Sequence, residues 1–312
     1  MKNSMLTAAG LGLSLQSEGA TTKPEGTPIF KISLAEWSIH RSLFAKKTEH
    51  LDFPMLARKH GIEAVEYVNQ FFKDKAKDME YLKEMKNRAD SEGVKSLLIM
   101  CDGEGALGDT DETKRQQTVD NHKKWVEAAK FLGCHSIRVN GFSQGGWGSR
   151  PDDYFESMKL VADGLHRLCE FADGYDIDII IENHGGNSSY APWLMGVMRM
   201  ANHSRAGTLP DFGNFSIYRN RETKESISYD TYRGTQELMP LARGVSVKTT
   251  AWDDFGNQSD LDYEKIMRIV LDAGYRGYCG IEHGEEGREW ESIVEVKEKL
   301  LITRNWLQSK YS

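Results

Sequence analysis

Three acidic residues follow apolar runs at points where a buried strand would end. Glu182 comes after three isoleucines, Asp211 after Leu-Pro, and Glu282 after Gly-Ile. A carboxylate in such surroundings is costly to desolvate unless something neutralises it, and three neighbouring carboxylates would also repel one another. A cation between them solves both problems, and carboxylate oxygens suit Mg²⁺, Mn²⁺ and similar ions. The alternative is three separate ion pairs, with Lys248 and Arg138 as candidate partners.

The elements that must position these acids are short β-like runs that alternate with helical stretches. Catalytic groups of α/β barrels lie at the carboxyl ends of strands, which is where the three acids fall. Eight units of strand then helix indicate a barrel or a long doubly wound sheet, and the count of eight favours a (β/α)8 TIM barrel. The sequence contains no glycine-rich nucleotide-binding fingerprint. The eight runs occupy residues 30–39, 63–68, 94–101, 136–142, 178–184, 207–213, 244–250 and 277–283.

Amphipathic helices are predicted between these runs. The clearest covers residues 113–132, where Val119, Trp125, Val126, Ala129 and Leu132 share one face at helical spacing. The stretches 51–60, 79–92 and 261–273 each end just before a glycine, which is the expected C-terminal stop of a helix.

The bulk composition is that of an ordinary globular chain. Its 312 residues are 39% hydrophobic and 28% charged, with a formal net charge of -7. A protein that holds a phosphate backbone usually shows a basic face, so the charge disfavours a nucleic-acid partner. The four cysteines are far apart and form no CxxC pair, which indicates buried thiols rather than a zinc cluster or disulfides.

The N-terminal segment differs from the rest of the chain. Residues 1–16 hold one lysine and a short Ala/Gly-rich apolar run, similar to the tail half of a bacterial export signal, and residues 17–28 are polar like a linker. The run is too short for a membrane span. We therefore expect residues 1–28 to be a truncated export signal and linker, residues 29–312 to be a single barrel domain, and the protein to be periplasmic. Without a signal it would be cytoplasmic.

The strand-end segments ENHGG, LPDFGNF and GYCGIEHG resemble those of the sugar phosphate isomerase/epimerase group of the xylose isomerase-like TIM barrel superfamily. The resemblance covers about residues 29 to 308. It implies a sugar or polyol isomerase or epimerase that removes a proton alpha to a carbonyl with help from a divalent ion (Mn, Mg, Zn or Co). By position, the resemblance implies Glu182, Asp211 and Glu282 as metal ligands and Glu182 and Glu282 as the catalytic base and acid.

The seventh strand departs from the family pattern, which places a metal-binding histidine there. This chain has Ser246 and Lys248 instead, and both should face the site because alternate residues share one side of a strand. An ammonium group would oppose a metal ion. The open alternatives are a metal held by three carboxylates and water, with His184 as a possible fourth ligand, or no ion, with the charge of Lys248 in its place.

Further residues are predicted to line the mouth of the barrel. Arg138 should point inward and form a structural pair with Glu66, whereas His283 should face away from the site. His40, Arg150 and Arg219 fall in mouth loops as weaker candidates for substrate contacts. The predicted substrate-binding residues, aromatic platforms and polar groups for a sugar, are Trp37, Asn140, Trp147, His184 and Trp252.

Three other functions compete with the isomerase. A lyase or hydratase acting on a keto sugar or 3-keto-glycoside would begin with the same proton abstraction, and Lys248 would then act as a catalytic residue that stabilises the enolate. A non-catalytic carbohydrate-binding barrel would show neither turnover nor metal. An abasic-site nuclease is disfavoured because Asn214 stands where that family has a histidine. The expected partner is a small carbohydrate, and the oligomeric state is left open.

Overall fold

Eight parallel strands form one sheet that curls into a barrel. The computed structural model describes residues 27–143, 153–220, 222–223, 225–252 and 258–312. In chain order the barrel strands are Lys31–Ala35, Ala64–Val68, Lys95–Met100, Ser136–Asn140, Asp178–Glu182, Ala206–Leu209, Val245–Val247 and Tyr278–Ile281. Neighbouring strands pair in that order, and the first strand pairs with the eighth. The predicted (β/α)8 TIM barrel is confirmed.

The barrel closes between its sixth and seventh strands. Two isolated parallel bridges, Thr208 to Ala242 and Asp211 to Ser246, join these strands. Around the rest of the barrel the pairing is more extensive, with five residue pairs between the fourth and fifth strands, Ser136–Asn140 and Asp178–Glu182. Two residues of the predicted site, Asp211 and Ser246, therefore lie on the closing seam, the junction between the sixth and seventh strands.

Several strands are shorter than the sequence predicted. The first strand ends at Ala35 and continues as a 3-10 turn, Glu36–Ile39. The sixth ends at Leu209, directly before Pro210, because proline has no N–H to donate to the ladder. The predicted extension of these strands through the site residues was wrong, since the backbone turns into loops just where the functional side chains begin.

Helices cover the outside of the barrel. They span Phe53–Lys59, Met79–Ser91, Glu112–Leu132, Tyr154–Asp173, Ala191–Ala201, Thr231–Leu238, Tyr263–Asp272 and Glu289–Tyr311. The four helices predicted above are confirmed to within two residues at each end. The apolar face of Glu112–Leu132 is buried as expected, and Gly133 ends that helix in the left-handed conformation at φ 81°.

Two antiparallel hairpins were not predicted. Ser216–Arg219 pairs with Ser226–Ser228 after the sixth barrel strand, and Thr250–Trp252 pairs with Gln258–Asp260 after the seventh. Both hairpins follow the carboxyl ends of their barrel strands, so they stand beside the mouth where the acids lie.

The main core fills the layer between strands and helices, where the fifth strand buries Ile179 and Ile181. A smaller apolar layer inside the barrel contains Leu98, Ile180 and Leu209. All four cysteines are buried and free, as predicted. Within the described residues, no helix is long and apolar enough to cross a membrane. The predicted export signal, residues 1–16, and all but the end of the linker lie outside the described residues, so that assignment stays a prediction.

Candidate active site

The three acids meet at the carboxyl end of the barrel. Glu182 is the last residue of the fifth strand, Asp211 follows the sixth strand, and Glu282 follows the eighth. One carboxylate oxygen from each lies within 4.8 Å of the other two, and all three side chains are buried. The sequence prediction that these acids converge is therefore confirmed by the geometry.

Lys248 lies among them. Its strand alternates so that Ser246 and Lys248 share the inner side, as predicted. The ammonium nitrogen is 2.6 Å from Glu282 Oε1, 3.0 Å from Asp211 Oδ2 and 3.9 Å from Glu182 Oε1. A cation therefore already stands between the three carboxylates, and it is carried by the chain itself.

Glu182 is engaged on both of its oxygens. Asn214 Nδ2 donates to Oε1 at 2.8 Å, and Arg138 Nε lies 2.9 Å from Oε2 in an ion pair that is poorly aligned for a hydrogen bond. The side chain is 1% exposed. Glu182 thus lies beneath the mouth rather than at its surface.

Asp211 and Glu282 are engaged in the same way. The backbone N–H of Gly213 donates to Asp211 Oδ1 at 2.8 Å, and Ser246 Oγ donates to Asp211 Oδ2 at 2.6 Å. Ser246 Oγ also lies 3.3 Å from Glu282 Oε2, while Lys248 takes Oε1. Every carboxylate oxygen of the three acids therefore contacts a donor from the chain.

The predicted partner of Arg138 was wrong. Its guanidinium pairs with Asp102 at 2.7 Å and with Glu182, whereas Glu66 accepts a hydrogen bond from Ser33 at 2.6 Å. Arg138 leans toward the mouth because Asp102 and Glu182 both lie there, while burial raises the pKa of Glu66 to about 7 and so favours its neutral form. Arg138 is therefore a second cation of the site.

Sequence reasoning missed Asp102. It follows the buried run of the third strand, the same signal that identified Glu182. Its Oδ1 accepts from Arg138 and, at 2.8 Å, from Asn140 Nδ2, and its Oδ2 accepts from Gln70 at 3.2 Å. Although burial alone would raise the pKa of Asp102, the neighbouring Arg138 holds that pKa well below its usual range.

The three acids differ in how readily they ionise. Burial raises the pKa of Asp211 to about 7, and it also raises the pKa of Glu182. The pKa of Glu282 is lowered instead, because the adjacent Lys248 outweighs the effect of burial. The same acids raise the pKa of Lys248 against its burial, so the ammonium stays charged. Glu282 is thus the acid of the three that is best placed to be ionised near neutral pH.

A cavity of about 330 Å³ opens above this cluster. Trp37, Asn140, His184, Lys248 and Glu282 are among its described lining residues, as are Arg138 and Asp102. A second cavity of about 210 Å³ shares Trp37, Lys248 and Glu282 with the first. Glu182 and Asp211 are not among the described residues that line either one. Of the triad and Lys248, Glu282 and Lys248 are therefore the groups that a substrate in these two cavities would meet.

The predicted substrate-binding residues are placed unevenly. Trp37, Asn140 and His184 line the larger cavity. Trp147 and Arg150 lie outside the described residues, and for Trp252 only the strand position is described.

The weaker candidates are also placed. His40 stacks on Trp37 with ring centroids 4.5 Å apart and lines the smaller cavity, whereas Arg219 is exposed on a hairpin. His283 lines the smaller cavity too, with its Nδ1 3.0 Å from Thr249 Oγ1, a position that strand alternation did not predict.

His184 is held in one orientation. Its Nδ1 lies 2.8 Å from Asn140 Oδ1, and because the amide nitrogen of Asn140 donates to Asp102, that oxygen must accept from an N–H of the ring. Burial, with Arg138 and Lys248 nearby, lowers the pKa of His184 to about 4. The neutral ring therefore has its proton on Nδ1 and offers Nε2 as an acceptor.

Whether a divalent ion fits these residues depends on which carboxylate oxygens are free to bind it. In spacing alone the acidic triad could hold a metal ion, and among the described residues His184 is not part of that group. Such an ion needs free carboxylate oxygens at about 2.0–2.6 Å. Here those oxygens already contact donors from the chain, namely Lys248, Ser246, Arg138 and backbone or amide N–H groups. The residues do not fit a divalent ion while Lys248 stays in place.

Comparison with known families agrees with this fold. The xylose isomerase-like TIM barrel family matches residues 55–306. The chain therefore belongs to the xylose isomerase-like TIM barrel family. No curated protein sequence matches the chain.

Three solved structures illustrate the likeness, each at 15% identity over 88% of this chain. A xylose isomerase-like TIM barrel protein from Mycobacterium smegmatis, in complex with magnesium, is covered over 96% of its length with a TM-score of 0.66. The probable 3-DHS dehydratase AsbF from Bacillus anthracis is covered over 99% with a TM-score of 0.64. The 3-keto-D-glucoside 4-epimerase YcjR from E. coli is covered over 99% with a TM-score of 0.61. At this identity the likeness shows the fold alone.

Proposed function

We propose that the protein is a carbohydrate isomerase in which Glu282 removes a proton alpha to a carbonyl group and Lys248 stabilises the resulting enediolate. The family and the sugar-modifying enzymes among the similar structures support an enzyme of this general class. The observation that carries the proposal is the pairing of Glu282 Oε1 with Lys248 Nζ at 2.6 Å, at the wall that two cavities share.

The pair is suited to one proton transfer. A substrate whose carbonyl oxygen accepts from Lys248 would place its neighbouring carbon beside the Glu282 carboxylate. Glu282 takes the proton from that carbon, the electron pair of the broken C–H bond forms the C=C bond of the enediolate, and the carbonyl π pair moves to the oxygen, where the ammonium stabilises the negative charge. Return of the proton to the former carbonyl carbon, with transfer of the hydroxyl proton from the neighbouring oxygen to the former carbonyl oxygen, completes an isomerisation without a net gain or loss of atoms.

The placement of the triad acids favours isomerisation over epimerisation. Moving a proton between adjacent carbons on one face needs one base, whereas inverting a carbon needs acid and base groups on opposite faces. Of the triad, Glu282 lines the cavities, while Glu182 is 1% exposed behind Lys248 and Arg138. Asp102 also lines the larger cavity, but it already accepts from Arg138 and Asn140. The acid role implied for Glu182 stays a prediction.

The rest of the larger cavity suits a sugar. Trp37 offers an aromatic face, His184 offers its bare Nε2 as an acceptor, and Asn140 and Asp102 form a fixed polar edge. Its volume of about 330 Å³ lies within the usual range of small-molecule sites. Binding by these groups would orient the substrate against Glu282 and Lys248.

A lyase is the second candidate, and the smaller cavity favours it. That cavity meets the first at Lys248 and Glu282, so a group on the carbon next to the abstraction site would extend into it. Loss of this group from the enediolate would give elimination rather than isomerisation. A keto sugar or 3-keto-glycoside is the corresponding substrate class.

Turnover in deuterated water distinguishes these reactions. The protein is incubated with a panel of aldoses, ketoses and 3-keto-glycosides, and ¹H NMR follows each reaction. An isomerase gives an aldose–ketose pair with partial deuterium at the receiving carbon, whereas a lyase gives an unsaturated product and a released group. Absence of turnover on the whole panel would contradict the proposal and favour a carbohydrate-binding barrel.

A further inference from the structure

We propose that Lys248 takes the place of a divalent cation in this site and keeps such an ion out. The inference concerns the same site as the proposed function and rests on it for the role of the cluster. It departs from the metal-assisted chemistry that the sequence resemblance implies. It makes the chain's own ammonium group the permanent cation of a site whose acids are otherwise spaced for a metal.

The position of the ammonium group is the first support. A metal ion that contacted all three acids would need the same oxygens that Lys248 Nζ meets at 2.6, 3.0 and 3.9 Å. Metal and ammonium would then stand a few ångströms apart, both positive, next to carboxylates that are at most 9% exposed. That separation is shorter than the distance over which salt screens charges, so the repulsion is strong and the two cations exclude each other.

The second support is the state of the carboxylates. Asp211 is held by the N–H of Gly213 and the hydroxyl of Ser246, and Glu182 by Asn214 and Arg138. None of these donors is a metal ligand in its present role. A hard cation takes about six oxygen ligands, and it would have to displace several of these contacts as well as Lys248.

The charges give the third support. Lys248 supplies one positive charge to all three acids, at 2.6 to 3.9 Å, and Arg138 supplies a second to Glu182 at 2.9 Å. Much of the negative charge of the acids is therefore balanced by the chain's own cations. Removing Lys248 alone would leave three buried acids with one adjacent cation, a charge balance that a divalent ion would restore.

Metal uptake by the purified protein tests this inference without any assay of turnover. The wild type and Lys248→Met are stripped with chelator and dialysed against Mn²⁺ or Mg²⁺ alone. Bound metal is measured by elemental analysis, and free Mn²⁺ by electron paramagnetic resonance. We expect no stoichiometric metal in the wild type at micromolar Mn²⁺, and an affinity about 10²- to 10³-fold higher in Lys248→Met, the effect of deleting one adjacent positive charge.

Two further variants serve as controls. Lys297→Met removes a lysine whose side chain is 15% exposed at the opposite end of the barrel, where Nζ donates to His60 O, and it should gain no affinity. Lys248→Met combined with Asp211→Asn removes one of the three acids and should lose most of the gain. Thermal melts with and without Mn²⁺ accompany each sample, and a Lys248→Met protein that folds only with metal supports the inference.

Other outcomes overturn it. One equivalent of metal bound tightly by the wild type would do so, whatever the variants show, and so would a folded Lys248→Met that gains no affinity. If Lys248→Met does not fold even with metal, the wild-type measurement decides. A metal-free wild type without turnover would refute the proposed function alone, and an active wild type with stoichiometric metal would refute this inference alone.

Discussion

Glu182 and Glu282 carry the same functional group in different surroundings. Glu282 lines both cavities, and its pKa is lowered by Lys248 against the effect of burial. Glu182 is buried beneath the mouth, where burial raises its pKa despite Arg138. Environments that move two carboxyl groups in opposite directions mark them for different roles, one as the ionised base and one as a group that holds its neighbours in position.

Glutamine substitution separates the two roles. Glu282→Gln should lower kcat by about 10³-fold with little change in KM, because the proton acceptor is lost while the shape is kept. Glu182→Gln should lower kcat less, because its contacts with Asn214 and Arg138 position other groups. Steady-state kinetics and melting curves of both variants check this. Equal losses of kcat in two folded variants would show that Glu182 also transfers the proton.

His184 offers a second measurement at the residue scale. Its pKa is lowered to about 4 by burial and by the nearby Arg138 and Lys248. The imidazole should therefore stay neutral between pH 5.5 and 8, with the proton on Nδ1 facing Asn140. Long-range ¹H–¹⁵N NMR of the labelled protein reports both features. Titration of His184 near pH 6.5 would contradict this electrostatic environment.

Some of the site was predictable from the sequence and some was not. Glu182, Asp211 and Glu282 were found because each follows an apolar run, and Lys248 because strand alternation fixes which side it faces. The partner of Arg138 was not predictable in this way. Alternation shows that a side chain faces the inside of the barrel, but not which neighbouring side chain lies at the same level along the barrel axis. The cavity role of His283 was missed because this residue lies two positions past the end of its strand at Ile281, where alternation no longer applied, whereas Lys248 lies one position past Val247 and still follows it.

At the scale of elements, the strands stack their inward side chains in layers below the site. Glu66 on the second strand points across the barrel at Gly280 on the eighth, where a Cβ would overlap the Glu66 carboxylate. A side chain at this position would therefore have to displace the Glu66 carboxylate. Ser33 from the first strand donates to Glu66 Oε1, while Oε2 has no partner within the described residues. Ionisation of a buried acid that has a single hydrogen-bond donor lowers the stability of the folded protein.

This layer predicts a specific dependence of stability on pH. Burial raises the pKa of Glu66 from 4.5 to about 7, so the folded protein keeps a proton that the unfolded chain releases. The free energy of unfolding should therefore fall between about pH 4.5 and 7, by about 3 kcal/mol from this group. Glu66→Gln keeps the acceptor for Ser33 and should remove that part of the slope, so that it is more stable than the wild type at pH 8.

Urea unfolding at pH 5 and pH 8 measures the effect. Asp211, with its pKa raised to about 7, also contributes to the wild-type slope, so only the difference between the two proteins is assigned to Glu66. Glu63→Gln, which changes an acid with a 70% exposed side chain just before the same strand, is the matched control and should leave the slope unchanged. If Glu66→Gln is destabilising at pH 8, the buried carboxylate is ionised and paired in the folded protein.

At the scale of the whole molecule, the closing seam of the barrel and the site coincide. The sixth and seventh strands are joined by the bridges at Thr208 and Asp211, and Asp211 also accepts from Ser246 and Lys248 across the same seam. Side-chain contacts among the site residues therefore reinforce a seam that has few backbone bonds. The number of strands was predictable from their sequence pattern, but the place of closure was not, because it depends on the length of the sixth and seventh strands.

Hydrogen exchange should reveal this seam. Three backbone bonds cross it, from Phe212 N to Ser246 O, from Ser246 N to Pro210 O and from Arg243 N to Thr208 O. Because local opening costs less where fewer bonds must break, the amides of residues 208–213 and 242–247 should exchange at least about tenfold faster than those of the third strand, Lys95–Met100. Ser246→Ala removes a side-chain bond across the seam and should increase that difference, while exchange in the third strand is unchanged. Uniform protection of all eight strands would mean that the ion cluster makes the seam as stable as the rest of the barrel.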